Sequence, residues 1–420
     1  MGKKRIPPAF IIAAVVALAA AAVLLVVLLG KKDAEPEPEE EPYVRTHVFP
    51  DEMRGVYVPT VYNLTFPSAT DLSEDELKAE IDGIISTAKD VGLNTVVFQV
   101  RPCCDAFYKS DIFPVSKYLS TKNALTLDCL GYLVERAHAE GISVTAWVNP
   151  LRVSVGKMTV DGLDDESPAK GEYSEYVVSY GEKLYFDPAE PAVRELVCRG
   201  VSEIVENYEV DGILFDDYFY PYKVYETDDD GNSMLAVFDD EDSFAAYAED
   251  GETLDDFRRD NINELVKAVN EAVKSADEKC RFGVAPFGIW KNGDGAEGGS
   301  LTSGLESYSE LYCDTLAWVD GGYVDYIAPQ IYWETSSLTA SFKVLAAWWS
   351  ERLSEKGVDL YFSHAAYRYE DDDFSPGEIT KQLNFAKELD NYGGSIFYSF
   401  GAFRDDLAGI CEEIGDYYKQ

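Results

Sequence analysis

The chain has 420 residues, 46% of them hydrophobic and 13% aromatic, which is enough to fill a sizeable core and too apolar for general disorder. Its 77 acidic side chains against 36 basic ones give a formal charge of −41, a surface that repels nucleic acid and anionic lipid headgroups and so excludes a nucleic-acid role. Seven cysteines show neither metal-ligand spacing nor the framework of a small disulfide domain, although Cys103 and Cys104 are adjacent.

At the N-terminus, Lys3, Lys4 and Arg5 precede an unbroken apolar run over residues 9–29. As a helix it is roughly 31 Å long, about the thickness of a bilayer's hydrocarbon. A signal peptide would have a shorter apolar core and a small-residue cleavage site where Lys31 and Lys32 stand, so the run predicts an uncleaved anchor. Three basic residues before the span against two after it favour a single-pass protein of the cell membrane with its bulk outside. Residues 1–32 thus read as cytoplasmic stub and anchor. Prolines among glutamates make residues 33–50 an extended, self-repelling tether.

Residues 51–420 repeat one unit: a short apolar strand, a polar or aromatic loop, then an amphipathic helix. Eight strands are predicted, RGVYVPT, NTVVFQV, ISVTAWV, VDGILFD, CRFGVAP, VDYIAPQIY, VDLYFSHA and GGSIFYSF. Helical patterns such as DELKAEIDGIISTAKDVG and RDNINELVKAVNEAVKSA lie between them, several ending in Gly. Continuous Val/Ile/Phe strands alternating with helices imply a parallel α/β fold, and eight units closing on themselves imply a (β/α)8 TIM barrel. An open doubly wound sheet is the alternative, but no GxGxxG turn joins the first predicted strand to its helix, and the unit count fits closure better. Long insertions after the third and fourth strands, at about 151–184 and 218–255, would rise over the C-terminal mouth.

Function in such a barrel sits at the strand tips. Those tips carry Tyr57 and Asn63, Gln99 and Arg101, Trp147 with Asn149 and Arg152, Asp216 and Asp217 followed by Tyr218, Pro286 with Trp290, Gln330 with Tyr332, Trp333 and Glu334, His364 and Tyr367, and Tyr398. Aromatic faces for a pyranose ring, with amides and guanidinium groups for its hydroxyls, make a mixture suited to sugars. The stretch DGILFDDYFYPY holds the chemistry: a buried strand ending in two adjacent carboxylates. Glycoside hydrolysis needs one protonated carboxylic acid and a second group as nucleophile, base or charge stabiliser, and neighbouring carboxylates drive their pKa values apart. Asp216 and Asp217 could divide these roles only if Asp217 already lies in the loop, because consecutive strand residues face opposite ways. Glu334 is the third candidate. His47, His138 and His364 are scattered, and no metal or cofactor is expected.

The chain resembles the glycosyl-hydrolase-like family ten, also called domain of unknown function 187. The likeness runs through RGVYVPTVYNLTFPS, FQVRPCCDAFYKSDIFPVSKYLS, AWVNPLRVS, YFDPAEPAVRE, VDGILFDDYFYPY, FRRDNINELV, FGVAPFGIWKN, YIAPQIYW and HAAYR, in that order. It implies a barrel glycosidase of the bacterial envelope acting on peptidoglycan glycan strands. It also implies site roles for Asp216, Asp217, Arg101, Asp105, Asn149, Arg152, Arg259, Asn261, Gln330 and Tyr332. Cys103 and Cys104 stand where that family usually has small residues. A weaker similarity links Asp211, Gly212, Asp216 and Tyr332 to the chitinase-like barrels, which use the substrate's 2-acetamido group as nucleophile. Here Tyr218 replaces their catalytic Glu, leaving Asp217 to act instead. The expectation is therefore a membrane-anchored glycoside hydrolase for N-acetylated glycans, by a mechanism that could be substrate-assisted. A non-catalytic, wall-binding barrel is the alternative.

Overall fold

Eight short strands built largely from Val, Ile, Phe and Tyr line up in parallel and close on themselves. They are β1 (Met53–Val58), β2 (Thr95–Arg101), β3 (Ser143–Val148), β4 (Gly212–Phe215), β5 (Arg281–Val284), β6 (Tyr326–Ile327), β7 (Asp359–His364) and β8 (Tyr392–Phe397). Each pairs with its sequence neighbours, and β8 pairs with β1 to complete the barrel. The computed structural model describes residues 45–227, 231–293, 298–372 and 374–419. The predicted span over residues 9–29 and most of the tether lie outside these residues. Among the described residues, no helix is long and apolar enough to cross a membrane.

Eight helices cover the strands: α1 (Glu74–Val91), α2 (Cys129–Ala139), α3 (Pro191–Asn207), α4 (Leu254–Ala276), α5 (Thr315–Gly321), α6 (Phe342–Leu353), α7 (Glu378–Ala386) and α8 (Ile410–Tyr418). Local chemistry sets their ends. Ser73 and Glu76 form a capping box at the start of α1, and Gly92 stops it in the left-handed conformation. Leu77, Ile81, Ile84, Ile85, Ala88 and Val91 supply the apolar stripe that α1 turns inward. Pro191 opens α3, where its missing N–H costs nothing.

Strand alternation sorts side chains into two cores. Ile213, Phe215, Val96 and Phe98 belong to the large outer cluster with the helices, whereas Tyr57, Val97, Trp147, Leu214, Tyr326, Tyr361 and Ile396 fill the barrel itself. Gly283 makes room there, since a Cβ at this position would lie 2.3 Å from the Tyr326 ring. The insertion after β3 folds as a small antiparallel sheet of Arg152–Ser154, Lys183–Phe186 and Val177–Tyr180. The one after β4 forms a hairpin of Tyr225–Thr227 with Ser233–Leu235, then the short helix Glu241–Tyr247.

At the opposite end of the barrel, Asp211 ties the structure together just before β4. Its carboxylate accepts from the backbone N–H groups of Val48 (2.6 Å) and Val144 (2.7 Å) and pairs with His138 Nε2 at 2.9 Å. Two of the three histidines, His47 and His138, are spent on this clasp.

Candidate active site

The tip of β4 forms the floor of a pocket of about 200 Å³ at the C-terminal mouth. Strand pairing ends at Phe215, so Asp216 and Asp217 both lie in the loop and both line the pocket. Asp216 continues the inward alternation of Gly212 and Leu214. Its carboxylate accepts from Trp147 Nε1 at 3.0 Å and Asn149 Nδ2 at 3.0 Å, both from the β3 tip. Asn149 is oriented in turn, its Oδ1 accepting from the Arg152 backbone N–H at 2.9 Å. The Arg152 guanidinium sits 5.0 Å over the Tyr218 ring and donates through Nε to the Pro102 carbonyl at 2.9 Å.

These surroundings give the two carboxyls different tasks. Burial pushes Asp216 above the ordinary aspartate value, while the Arg152 charge and the Trp147 and Asn149 donors oppose the shift. Asp217 is pushed up to about 6, chiefly by burial and then by the Asp216 charge, against hydrogen bonds from Tyr222 and Gln330 that favour its ionised form. Asp217 can therefore hold a proton near neutral pH beside a charged Asp216, the division that acid catalysis requires.

Tyrosines and one tryptophan form the walls: Tyr57, Trp147, Tyr218, Tyr222, Tyr332, Tyr367 and Tyr398. Tyr57 packs edge-on to Trp147 at 5.6 Å, and Tyr398 lies 5.9 Å from Tyr332. Burial holds the Tyr57, Tyr218, Tyr222 and Tyr332 hydroxyls well above their ordinary pKa, so they remain neutral. Gln330, whose Nε2 donates to the Ala285 carbonyl at 2.8 Å, completes the lining.

Of the residues singled out in the sequence, Tyr57, Trp147, Asp216, Asp217, Tyr218, Gln330, Tyr332, Tyr367 and Tyr398 meet in this pocket, with Asn149 and Arg152 directly behind it. The others lie elsewhere. His364 is wholly buried outside the barrel wall, stacked on Phe342 and Phe397 and hydrogen-bonded to Gln382 (2.7 Å) and Ser395 (2.8 Å); burial pushes it down to about 4. Glu334 does not line the pocket. Its carboxylate accepts from Ser375 N–H (3.0 Å) and the Ser336 hydroxyl (3.1 Å), which hold it below the usual range, the reverse of what an acid catalyst needs. Trp290 stacks on Trp348 at 5.8 Å, and Trp333 meets Phe287 edge-on at 5.6 Å; both are half-buried against the outer core and neither lines the pocket.

Arg101 faces out of the barrel. It covers Phe113 at 3.5 Å and presses on α3, where a Cβ at Gly200 would meet its guanidinium at 2.5 Å. Arg259 and Asn261 brace α4 through Asp256 (2.6 Å) and Arg194 (3.0 Å). Gln99 shapes the loop after β1 by accepting from Thr60 and Val61 N–H at 2.9 and 3.0 Å. Asp105 is engaged by Cys103 N–H and the Ser116 hydroxyl. All seven cysteines are free. The pocket residue that was passed over is Tyr222, although it closes the DGILFDDYFYPY stretch; only its contact with Asp217 reveals it.

Known proteins share both the sequence and the architecture. A family model described as glycosyl hydrolase-like 10 matches residues 52–374. The glycosyl hydrolase YngK of Bacillus subtilis (strain 168) is 34% identical over 371 residues, covering 86% of this chain and 71% of its own. The glycosyl hydrolase DigH of Escherichia coli (strain K12) is 32% identical over 371 residues, covering 82% of each chain. Among solved structures, the PgaB (BpsB) glycoside hydrolase domain from Bordetella bronchiseptica superposes with a TM-score of 0.56 at 15% identity, spanning 87% of this chain and 98% of that one. That likeness is one of fold. The matched model covers most of the barrel and includes Asp216 and Asp217, so the chain belongs to the glycosyl hydrolase-like 10 family.

Proposed function

We propose that the barrel hydrolyses N-acetylated glycan strands, peptidoglycan or a related polymer, with Asp217 as general acid. The observation that carries this is the divided aspartate pair on the floor of an aromatic pocket: one carboxyl raised to about 6, the other held by Trp147, Asn149 and Arg152. Asp216, committed to two donors, is a poor attacking group. The substrate's own acetamido oxygen fits the nucleophile's role instead. Asp217 gives its proton to the glycosidic oxygen as the bond to C1 breaks, the acetamido oxygen closes on C1, and the Asp216 carboxylate accepts from the acetamido N–H. Water then opens this intermediate and returns a proton to Asp217. Tyr332 and Tyr398 offer rings to the sugar face, and Tyr57, Tyr218 and Gln330 offer polar groups to its edges. The apolar run over residues 9–29 supports attachment to the cell membrane with the barrel outside, where such a polymer is found.

Two substitutions test the assignment. Asp217→Asn lowers turnover of a glycan by about 10² to 10⁴, and the loss shrinks on an aryl glycoside whose leaving group needs no proton. Asp216→Asn loses comparably on both substrates. Equal losses on both substrates for Asp217→Asn remove it as the acid, and wild-type binding without turnover turns the pocket into a lectin-like site.

A further inference from the structure

The catalytic pocket has a neighbour on the same mouth. The loops after β2 and β3 enclose a second concavity of about 280 Å³, lined by Cys103, Lys117, Ser154, Met158 and Leu163 among others. One side chain touches the lining of both. Arg152 lies over the Tyr218 ring on the catalytic side and interacts with the Cys103 thiol on the other. Beyond it, Tyr118 packs edge-on to Tyr62 at 5.8 Å, and Tyr62 is 55% exposed, an aromatic face open at the rim. The catalytic pocket, with 200 Å³, is the smaller of the two.

The wall of the second pocket has the mixed character a sugar unit requires, with apolar Met158 and Leu163 beside hydroxyls and an ammonium. Its acids are already engaged: Asp105 by Cys103 N–H and Ser116, Asp164 by Asn123 and Glu166 N–H. Lys117 is its single lining cation. It sits 5.3 Å over the Tyr118 ring, and its charge acts on the Asp105 carboxyl without a close ion pair among the described residues, in a chain where acidic groups outnumber basic ones by 77 to 36. An unpaired ammonium at the edge of a polar pocket suits an anionic substituent.

Building on the proposed glycan hydrolysis, we infer that this second pocket is a distal subsite for the same chain, holding a carboxylate-bearing sugar unit beyond Arg152. The preferred substrate is then an oligomer that occupies both pockets, not a single terminal sugar. Lys117 meets the carboxylate, and Met158 and Tyr62 provide the apolar surface.

The test is a set of binding isotherms on the Asp217→Asn protein, whose turnover, lowered by about 10² to 10⁴, leaves the probe largely intact. The probes are peptidoglycan glycan strands freed of stem peptides and sorted by length, with neutral N-acetylglucosamine oligomers as the comparison. Affinity for the anionic strands is expected to step up about tenfold once they are long enough to pass Arg152. Met158→Trp, which fills the pocket, abolishes the step without changing affinity for the shortest strands. Lys117→Glu, a surface change that leaves packing intact, weakens only the long anionic strands, by about tenfold. A length profile identical in parent and Lys117→Glu overturns the inference, as does equal weakening of short and long strands. Wild-type turnover of an aryl N-acetylglucosaminide, measured alongside, reports separately on the catalytic proposal.

Discussion

Asp217 concentrates the chemistry of the pocket in one titration. As the proposed acid, it must be protonated, so kcat/KM is expected to fall as pH rises through about 6, and this limb belongs to Asp217 coupled to Asp216. The Tyr222 hydroxyl donates to Asp217 and favours the ionised carboxylate. Tyr222→Phe removes that donor, so the basic limb of the pH–rate profile is expected to move upward; a fixed or falling limb would show that Tyr222 does not tune the acid. Stability follows the same group with a definite sign. A carboxyl raised from 3.8 to about 6 supports the fold fully below pH 3.8, and this contribution is lost as pH climbs through 6. Asp217→Asn should therefore be more stable than the wild type at pH 7 to 8, by at most about 3 kcal/mol, with the gap closing near pH 4. A thermal melt series across that range checks it.

At the level of strands and helices, the eight repeats were legible because each strand carries an unbroken apolar run and each helix an amphipathic stripe. What the tips hid was parity. Tyr361 and Ser363 point into the barrel, so the next residue, His364, must point out toward α6 and α7, as its contacts with Phe342 and Gln382 show. Arg101 shares the inward parity of Val97 and Gln99, yet a register shift between Gln99 and Arg101 turns it outward, and no residue type announces that shift. The family resemblance likewise implied site roles for Arg259 and Asn261, which lie on the outer helix α4. The packing contacts separate two aromatic candidates. Trp290→Ala removes a ring stacked on Trp348 and should destabilise the barrel by about 3 kcal/mol, whereas Tyr332→Ala should weaken oligosaccharide binding by about 1–3 kcal/mol with little change in melting temperature. Similar melting curves for the two variants would refute this separation. Inside the barrel, Gly283→Ala drives a Cβ into Tyr326 and should cost about 1–3 kcal/mol, part of it regained when Tyr326 is shortened to Leu.

For the molecule as a whole, the proposed order of anchor, tether and barrel makes a prediction that does not involve the pocket. Residues 45–420 produced alone should fold and melt in one cooperative transition, and protease added outside intact cells should degrade the barrel of the full-length protein. A protected barrel on cells with an accessible surface would reverse the orientation. The strongly acidic surface favours solubility and resists adsorption to anionic surfaces, an effect that added salt should diminish.

The Asp211 clasp has a practical consequence. By binding Val48, it starts the barrel at the face away from the mouth, and α8 ends there too, with Tyr418 beside Gly92 and 5.2 Å from the Arg54 guanidinium. Both described ends of the domain therefore leave from one pole while the aspartates open at the other. A purified barrel coupled to a bead through either end should keep its full rate on dissolved glycans, and a pair of such domains joined end to end would work as two independent cutters facing apart.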